Sequence, residues 1–392
     1  MYIKVALLGS GLAFLFFEVQ GAARVQFRAT TRVFLVCRQL MRAVMRQFIG
    51  YLRTVCTTYP RQYYNVCMTA SQQTLGFAPA PYKTRKARFL EEMERIVPWA
   101  QLLALIAPYY PPEGKRALGG RPAYPLEVML RVHCLQLWWN LGDERAQEEL
   151  YECPTSRAFA RLDGAAVMPD ETTILRFRHL LETHDLAGQV FALVNEQLEQ
   201  RGLLLKRGTL VDATIIAAPS STKNKQGKRD EEMHQTQKSG QWHFGMKAHT
   251  GTDADSGLVH TVVYTAANVH DISVAGKLLH GQEECVWGDA GYQGVDKRPE
   301  NADSQVQWIT AMRPGKRRAL PKTKLGRLLD EAERIKARVR AKVEHPFRVI
   351  KLQFGYAKAR YRGMKKNAAR LTMLFAFANL CKVKKQLLAQ VA

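Results

Sequence analysis

The stretch Thr209-Leu210-Val211-Asp212-Ala213-Thr214-Ile215-Ile216 is β-branched and apolar except for one acid. Such a run predicts a buried strand. A carboxylate inside a buried strand is costly, because its charged form is stripped of water. Such an acid is more often retained for chemistry than for packing. The arrangement then recurs: Cys285-Val286-Trp287-Gly288-Asp289-Ala290-Gly291-Tyr292 reads as a short apolar strand ending in an acid and a glycine turn.

The elements around these acids can be read from periodicity and turn chemistry. Helical patterning gives way to strand patterning at Gly202. A polar stretch from Pro219 to Gln241 predicts a long mobile loop. His243 to Thr250 and Leu258 to Tyr264 predict a hairpin whose turn is Asp253-Ala254-Asp255-Ser256-Gly257. Asn268-Val269-His270-Asp271 precedes a helical run from Ile272 to Leu279, and Val306 to Thr310 predicts a fifth strand. A basic loop, Arg313 to Lys324, leads to a long helix over about Leu328–Phe354, with Pro346 as the place for a bend. Arg340, Glu344 and Lys351 fall at i, i+4 and i+11, near one helical face. The order is β-β-β-α-β-β-α, with acids on the first strand, on the strand after the helix, and on the late helix.

Three carboxylates gathered at one end of a mixed sheet suit two-metal phosphoryl transfer. Magnesium takes oxygen ligands and keeps several waters. Two such ions stabilise the attacking and leaving oxygens of an in-line displacement. Taken singly, each acid has a plain structural reading. Asp212 could be a hydrogen-bonded core acid, Asp289 a turn former, and Glu344 a surface residue paired with Arg340. Their joint order in a chain with 58 Lys and Arg against 35 Asp and Glu, a net of +23, favours the catalytic reading. That charge excess also points to nucleic acid, since each neutralised phosphate releases counterions.

Other constellations carry less. The seven cysteines are scattered without a Cys-x-x-Cys pair, which argues against a disulfide framework and a structural zinc site. His243, His249 and His260 lack a cysteine or carboxylate at ligand spacing and read as structural or DNA-facing. No phosphate-binding Gly-x-x-x-x-Gly-Lys-Ser/Thr loop is present, so no nucleotide cofactor is expected.

The N-terminal part is organised differently. Residues 1–67 begin with a short apolar run, Val5 to Phe17, that resembles a signal-peptide core and is too short for a confident membrane span. An Arg-rich stretch follows. A secretion signal, a membrane anchor and an upstream extension compete here; the extension is preferred, with Met68 as the working start. Residues 68–125 form a basic segment, Lys83 to Arg88, and a breaker-rich linker from Pro108 to Pro125. Residues 126–200 read as short helices, with Asp143 and Asp170 as caps. They suit a DNA-binding domain of helix-turn-helix type, with Arg176, Arg178 and His179 projecting from a recognition helix. A plain bundle with surface arginines has the same periodicity. Residues 201–385 carry the acids.

From about Arg85 to Leu380 the chain resembles the DDE transposases of bacterial insertion sequences, specifically the insertion-sequence-five family. The carrying segments are Arg121-Pro122-Ala123-Tyr124-Pro125-Leu126, Leu210-Val211-Asp212-Ala213-Thr214-Ile215-Ile216 and His243-Phe244-Gly245-Met246-Lys247-Ala248-His249. With them go Ala267-Asn268-Val269-His270-Asp271, Gly288-Asp289-Ala290-Gly291-Tyr292-Gln293-Gly294 and Val343-Glu344-His345-Pro346-Phe347-Arg348. The family's third-acid motif, Tyr-x-x-Arg-x-x-x-Glu-x-x-x-x-x-x-Lys, is matched by Arg340, Glu344 and Lys351, while Ala337 stands at the tyrosine position. The resemblance implies an α/β (α+β) chain: a ribonuclease-H-like catalytic domain with a mixed five-stranded sheet, preceded by a helical DNA-binding domain. It implies Mg2+, with Mn2+ as a substitute, held by Asp212, Asp289 and Glu344. Arg340 and Lys351 would position phosphates, and Arg348, Lys247, Arg176 and Arg178 are further candidates for nucleic-acid contact. The expected activity is cleavage at terminal inverted repeats and joining of 3′-hydroxyl ends to target DNA. A homodimer would synapse the two ends in the bacterial cytoplasm, without a membrane. The alternatives are a DNA-binding protein that has lost activity, and a secreted or membrane-associated protein.

Overall fold

A computed structural model describes residues 2–8, 12–18, 83–111, 122–164, 167–223, 225, 227–238, 240–301 and 306–391. The expected start at Met68, most of the Arg-rich stretch and much of the linker lie outside the described residues. Contacts divide the chain into Met1–Tyr82 and Lys83–Ala392. In the first unit, β1 (Tyr2–Leu8) and β2 (Leu12–Glu18) pair antiparallel, so the described parts of the signal-like apolar run are strand. No helix among the described residues is long and apolar enough to cross a membrane.

The second unit opens with helices. Thr84 caps α1 (Arg85–Ile96) by accepting from the Ala87 amide, and Pro98 separates it from α2 (Trp99–Ile106). The run from Leu126 is apolar nearly all round, as a fully enclosed helix requires. It forms α3 (Leu126–Trp138), whose Arg131 is buried against Glu94, Glu127 and the Trp99 ring. Next come α4 (Asp143–Glu152), α5 (Pro154–Phe159), α6 (Glu171–Thr183) and α7 (Leu186–Gln200). Asp170 caps α6 as expected, accepting from the Thr173 amide at 2.7 Å. Asp143 does not cap α4. Gly142 holds that position, and the Asp143 carboxylate turns to Gln136 and Arg178.

Among the described residues the sheet has six strands rather than five. They are β3 (Gly208–Ala217), β4 (His234–Lys238), β5 (Gln241–Asp253), β6 (Val259–Ala266), β7 (Cys285–Gly288) and β8 (Gln307–Thr310). β3 lies between antiparallel β5 and parallel β7, β8 runs parallel beyond β7, and β6 and β4 both pair with β5. β4 arises inside the stretch read as a loop. Its sequence, His-Gln-Thr-Gln-Lys, is polar because its side chains are largely exposed. Gly245 allows β5 to approach β3, since a Cβ there would sit 2.1 Å from the Ile216 carbonyl oxygen. The run 272–279 is not a helix but two 3-10 turns, Asp271–Ser273 and Ala275–Leu278.

After β8 come α8 (Pro314–Arg318) and α9 (Lys324–Arg340). The path stays helical through a 3-10 turn, Ala341–Val343, then α10 (Glu344–Arg348) and a π turn, Val349–Gln353. The expected bend at Pro346 is thus distributed over changes of helix type on both sides of α10. α11 (Met364–Lys382) and α12 (Lys384–Val391) complete the chain.

One hydrophobic core runs from Leu90 in α1 to Leu387 in α12 and includes Leu210, Met246 and Ala248 of the sheet. Among the described residues, α11 packs on α3, α7 and β6 together. Asn379 of α11 pins the join: it donates to Asn195 of α7 at 2.8 Å and to the Val259 carbonyl at 2.7 Å, and accepts from the Val259 amide. A smaller apolar cluster covers the other sheet face, with Val211, Leu278, Val286 and Tyr292. Alternation along β3 therefore puts Leu210 and Asp212 on the face of the large core.

Candidate active site

Two parallel strands deliver the first two acids. Leu210 of β3 pairs with Trp287 of β7. The same offset carried two residues onward sets Asp212 level with Asp289, where β7 has just ended. Gly288 lets the chain leave the strand, since a Cβ would press to 2.9 Å from the Tyr292 Cβ. Asp289 then caps the 3-10 turn Ala290–Tyr292 by accepting from the Gly291 amide at 2.7 Å. Asp212 accepts from the Ala213 amide at 2.7 Å.

The third acid comes from the helical path. The 3-10 turn Ala341–Val343 packs on β3 with Val343 buried, and Glu344 follows at once. The fields of Asp289, Glu344 and Arg340 all act on Asp212. Burial, opposed by the Ala213 amide and reinforced by Asp289 and Glu344, pushes the Asp212 carboxyl up to about 6. A half-buried carboxylate crowded by two others is the electrostatic situation that a divalent cation relieves, and oxygen is the donor that magnesium takes. The donor atoms are of the kind such an ion takes, but among the described residues the three acids do not bring one oxygen each within 4.8 Å of the other two.

The basic residues fall into two groups. Arg340 adjoins the acids and lowers the electrostatic cost of Asp212. Lys351 is half-buried beside Glu344 and Lys238; burial and then Lys238 press its ammonium below the ordinary lysine range, and Glu344 opposes this. Arg348 and Arg176 are exposed. Arg176 borders a cavity of about 330 Å³ with Tyr110, Tyr124 and Phe177.

Arg178 and Lys247 are engaged inside the protein. Arg178 is buried, 3.0 Å from Asp143 and 2.7 Å from Glu182, with its guanidinium 4.2 Å from the centre of the Tyr361 ring. It does not project from α6 as a recognition side chain would. Lys247 donates to Asp271 at 2.9 Å and to the Val269 carbonyl at 2.8 Å. Sequence reasoning passed over Tyr292. It is buried next to Asp212, Asp289 and Asp271, and its hydroxyl finds no hydrogen-bond partner. Its place directly after the Asp-x-Gly turn is the signal that could have singled it out.

No solved structure matches the chain. Two family models do: Transposase DDE domain over residues 204–380, and Transposase domain (DUF772) over residues 80–180. The first spans β3 to α11 and so contains all three acids. The mixed sheet with its surrounding helices is consistent with a ribonuclease-H-like DDE domain. Together the two matches support a DDE transposase family and a transposase function.

Proposed function

We propose that this chain is an insertion-sequence transposase of the insertion-sequence-five type, which cleaves DNA at terminal inverted repeats and joins the 3′-hydroxyl ends to target DNA. The observation that carries this reading is that Asp212 and Asp289 stand level at the ends of two adjacent parallel strands, with Glu344 close enough to act on Asp212, all within the residues that match the Transposase DDE domain. Asp212, Asp289 and Glu344 would hold Mg2+ or Mn2+. When bound, these ions supply a polarised attacking oxygen and stabilise the leaving one.

The protein's own groups set the conditions for that chemistry. The backbone amides of Ala213 and Gly291 fix one oxygen each on Asp212 and Asp289, leaving the other oxygens to face a ligand. Arg340 offsets part of the negative charge before substrate arrives. Lys351, which feels the charge of Glu344, would hold a phosphodiester beside the acids. The exposed Arg348 and Arg176 add to an electrostatic approach surface for DNA, and pairing of two ends calls for a dimer.

The test is strand nicking on a labelled terminal inverted repeat, with and without magnesium, beside Asp289→Ala. Magnesium-dependent nicking, lost in the variant while DNA binding persists, is the expected result. Binding without nicking by either protein, with manganese and both ends supplied, would reduce the chain to a DNA-binding relative without activity.

A further inference from the structure

The sheet face opposite Asp212 carries a second cluster of ligand-type side chains. His260 stands on β6, while His280 and Glu283 lie in the segment leading into β7. One ligand atom from each lies within 4.8 Å of the other two. Gly251 makes room for the cluster: a Cβ there would come 2.7 Å from His260 Cε1 and 2.3 Å from the Leu278 carbonyl oxygen. Gly281, with φ of 86°, turns the chain back. The Glu283 carboxylate can then accept from the amides of His280 at 2.6 Å and Gly281 at 2.8 Å. The Thr209 hydroxyl donates to Glu283 at 3.1 Å and lies 3.0 Å from His260 Nε2. The two imidazoles stand nearly perpendicular, with centroids 4.9 Å apart. His280 Nε2 is buried, 3.4 Å from Glu283 Oε1, and has no hydrogen-bond partner.

The protonation states suit a cation. Burial, then the neighbouring His280, pushes His260 down to about 3, so its ring is neutral at physiological pH. Burial works against ionisation of Glu283, but the amides of His280, Glu283 and Gly281 and the neighbouring His280 ring together outweigh it and hold the carboxyl below its ordinary range.

We propose that His260, His280 and Glu283 form a site for zinc or a similar divalent transition metal, separate from the three acids, which braces the segment entering β7 against β6 and β3. Two imidazoles and one carboxylate are a donor set that zinc accepts, with a fourth position open to water. Magnesium, which requires oxygen ligands, does not suit this site. Bonds of ~2.0–2.1 Å set ligand atoms roughly 3.4 Å apart in a tetrahedron, the spacing that His280 Nε2 and Glu283 Oε1 already have. Each ring binds through Nε2 and carries its proton on Nδ1. For His260 that proton meets the Thr261 hydroxyl oxygen, 2.9 Å away. For His280 it displaces the 3.2 Å contact from the Gln282 amide, so the affinity should be moderate. The spacing of histidines along the sequence conceals the site, because His260 finds its partners about twenty residues further on.

The full chain carrying Asp212→Asn, Asp289→Asn and Glu344→Gln, stripped by chelator dialysis, isolates the question from the acid site. Zinc is titrated against a chromophoric competing chelator, and melting temperature is followed in parallel. One equivalent should bind and raise the melting temperature, with millimolar magnesium unable to displace it. Adding His280→Gln should weaken binding at least tenfold and abolish the thermal shift; His260→Gln serves as a second variant should the first fail to fold. Cobalt, titrated with the three ligands intact, should give the intense visible absorption of a four-coordinate centre. No zinc uptake, undiminished uptake in a folded His280→Gln or His260→Gln protein, or only the weak spectrum of hydrated cobalt would overturn the proposal.

Discussion

The guanidinium of Arg178 lies 3.0 Å from the carboxylate of Asp143, and the pair ties α6 to the start of α4. Burial opposes ionisation of Asp143, but hydrogen bonds from Arg178 and Gln136 outweigh it and hold the carboxyl below its ordinary 3.8. Removing one partner of a buried pair strands the other. Arg178→Ala should therefore cost about 3–5 kcal/mol in urea unfolding. Asp143 favours the folded state fully above its ordinary pKa, and that contribution fades as pH falls through its lowered one. A variant as stable as the parent that had lost specific DNA binding would restore Arg178 to the recognition surface.

Asp212 has the opposite sign. Its carboxyl is raised from 3.8 to about 6, so the folded chain binds a proton more readily than the unfolded one. The resulting penalty is absent below about 4, grows as pH rises, and is complete above about 6. Asp212→Asn should raise stability at pH 7.5 by on the order of 1–3 kcal/mol, with the gain disappearing near pH 4. Thermal melts at the two pH values in metal-free buffer decide this. An equal difference at both would show that the charge is not the cause.

Lys351 and Arg348 should behave differently when truncated. Lys351 is half-buried beside Glu344, whereas Arg348 is exposed. Lys351→Ala should lower single-turnover nicking by about 10²-fold, as loss of a charge placed at the reacting phosphate does, and leave end binding nearly intact. Arg348→Ala should weaken binding and reduce the salt slope by about one, with nicking at saturation preserved. The reverse pattern would exchange their roles.

Gly245 is the point at which β5 can least tolerate a side chain. A methyl group would meet the Ile216 carbonyl oxygen at 2.1 Å and the Ala218 amide nitrogen at 3.0 Å. Gly245→Ala should cost on the order of 2–4 kcal/mol, because backbone rather than a flexible side chain must move. Chemical denaturation measures it, and a loss under 0.5 kcal/mol would show that the strands part easily.

Much of this arrangement was legible in the sequence where a local rule governs it. Asp170 reads as a cap because its carboxylate needs only the amide three residues on. The acids on β3 and after β7 stand out because carboxylates are rare in apolar strands. The turn Asp253 to Gly257 is signalled by its own residues: the Asp253 carboxylate accepts from the Ser256 amide and Gly257 takes a positive φ. What could not be read depends on partners far along the chain. Periodicity gives α6 two faces, but not that Tyr361 and Asp143 enclose the one bearing Arg178. β4 carries no apolar alternation because its side chains face solvent. The run 272–279 has helical composition, yet Gly276 packs where a Cβ would stand 2.4 Å from the Asn301 Oδ1.

The bracket formed by Asn379 has a mechanical consequence. It fastens α7 to β6 through α11 with bonds that must break together. Helices and sheet are thereby fastened to each other. Under the proposed function, DNA gripped by the helices would be held at a reach from Asp212 set by the protein's dimensions rather than by a tether.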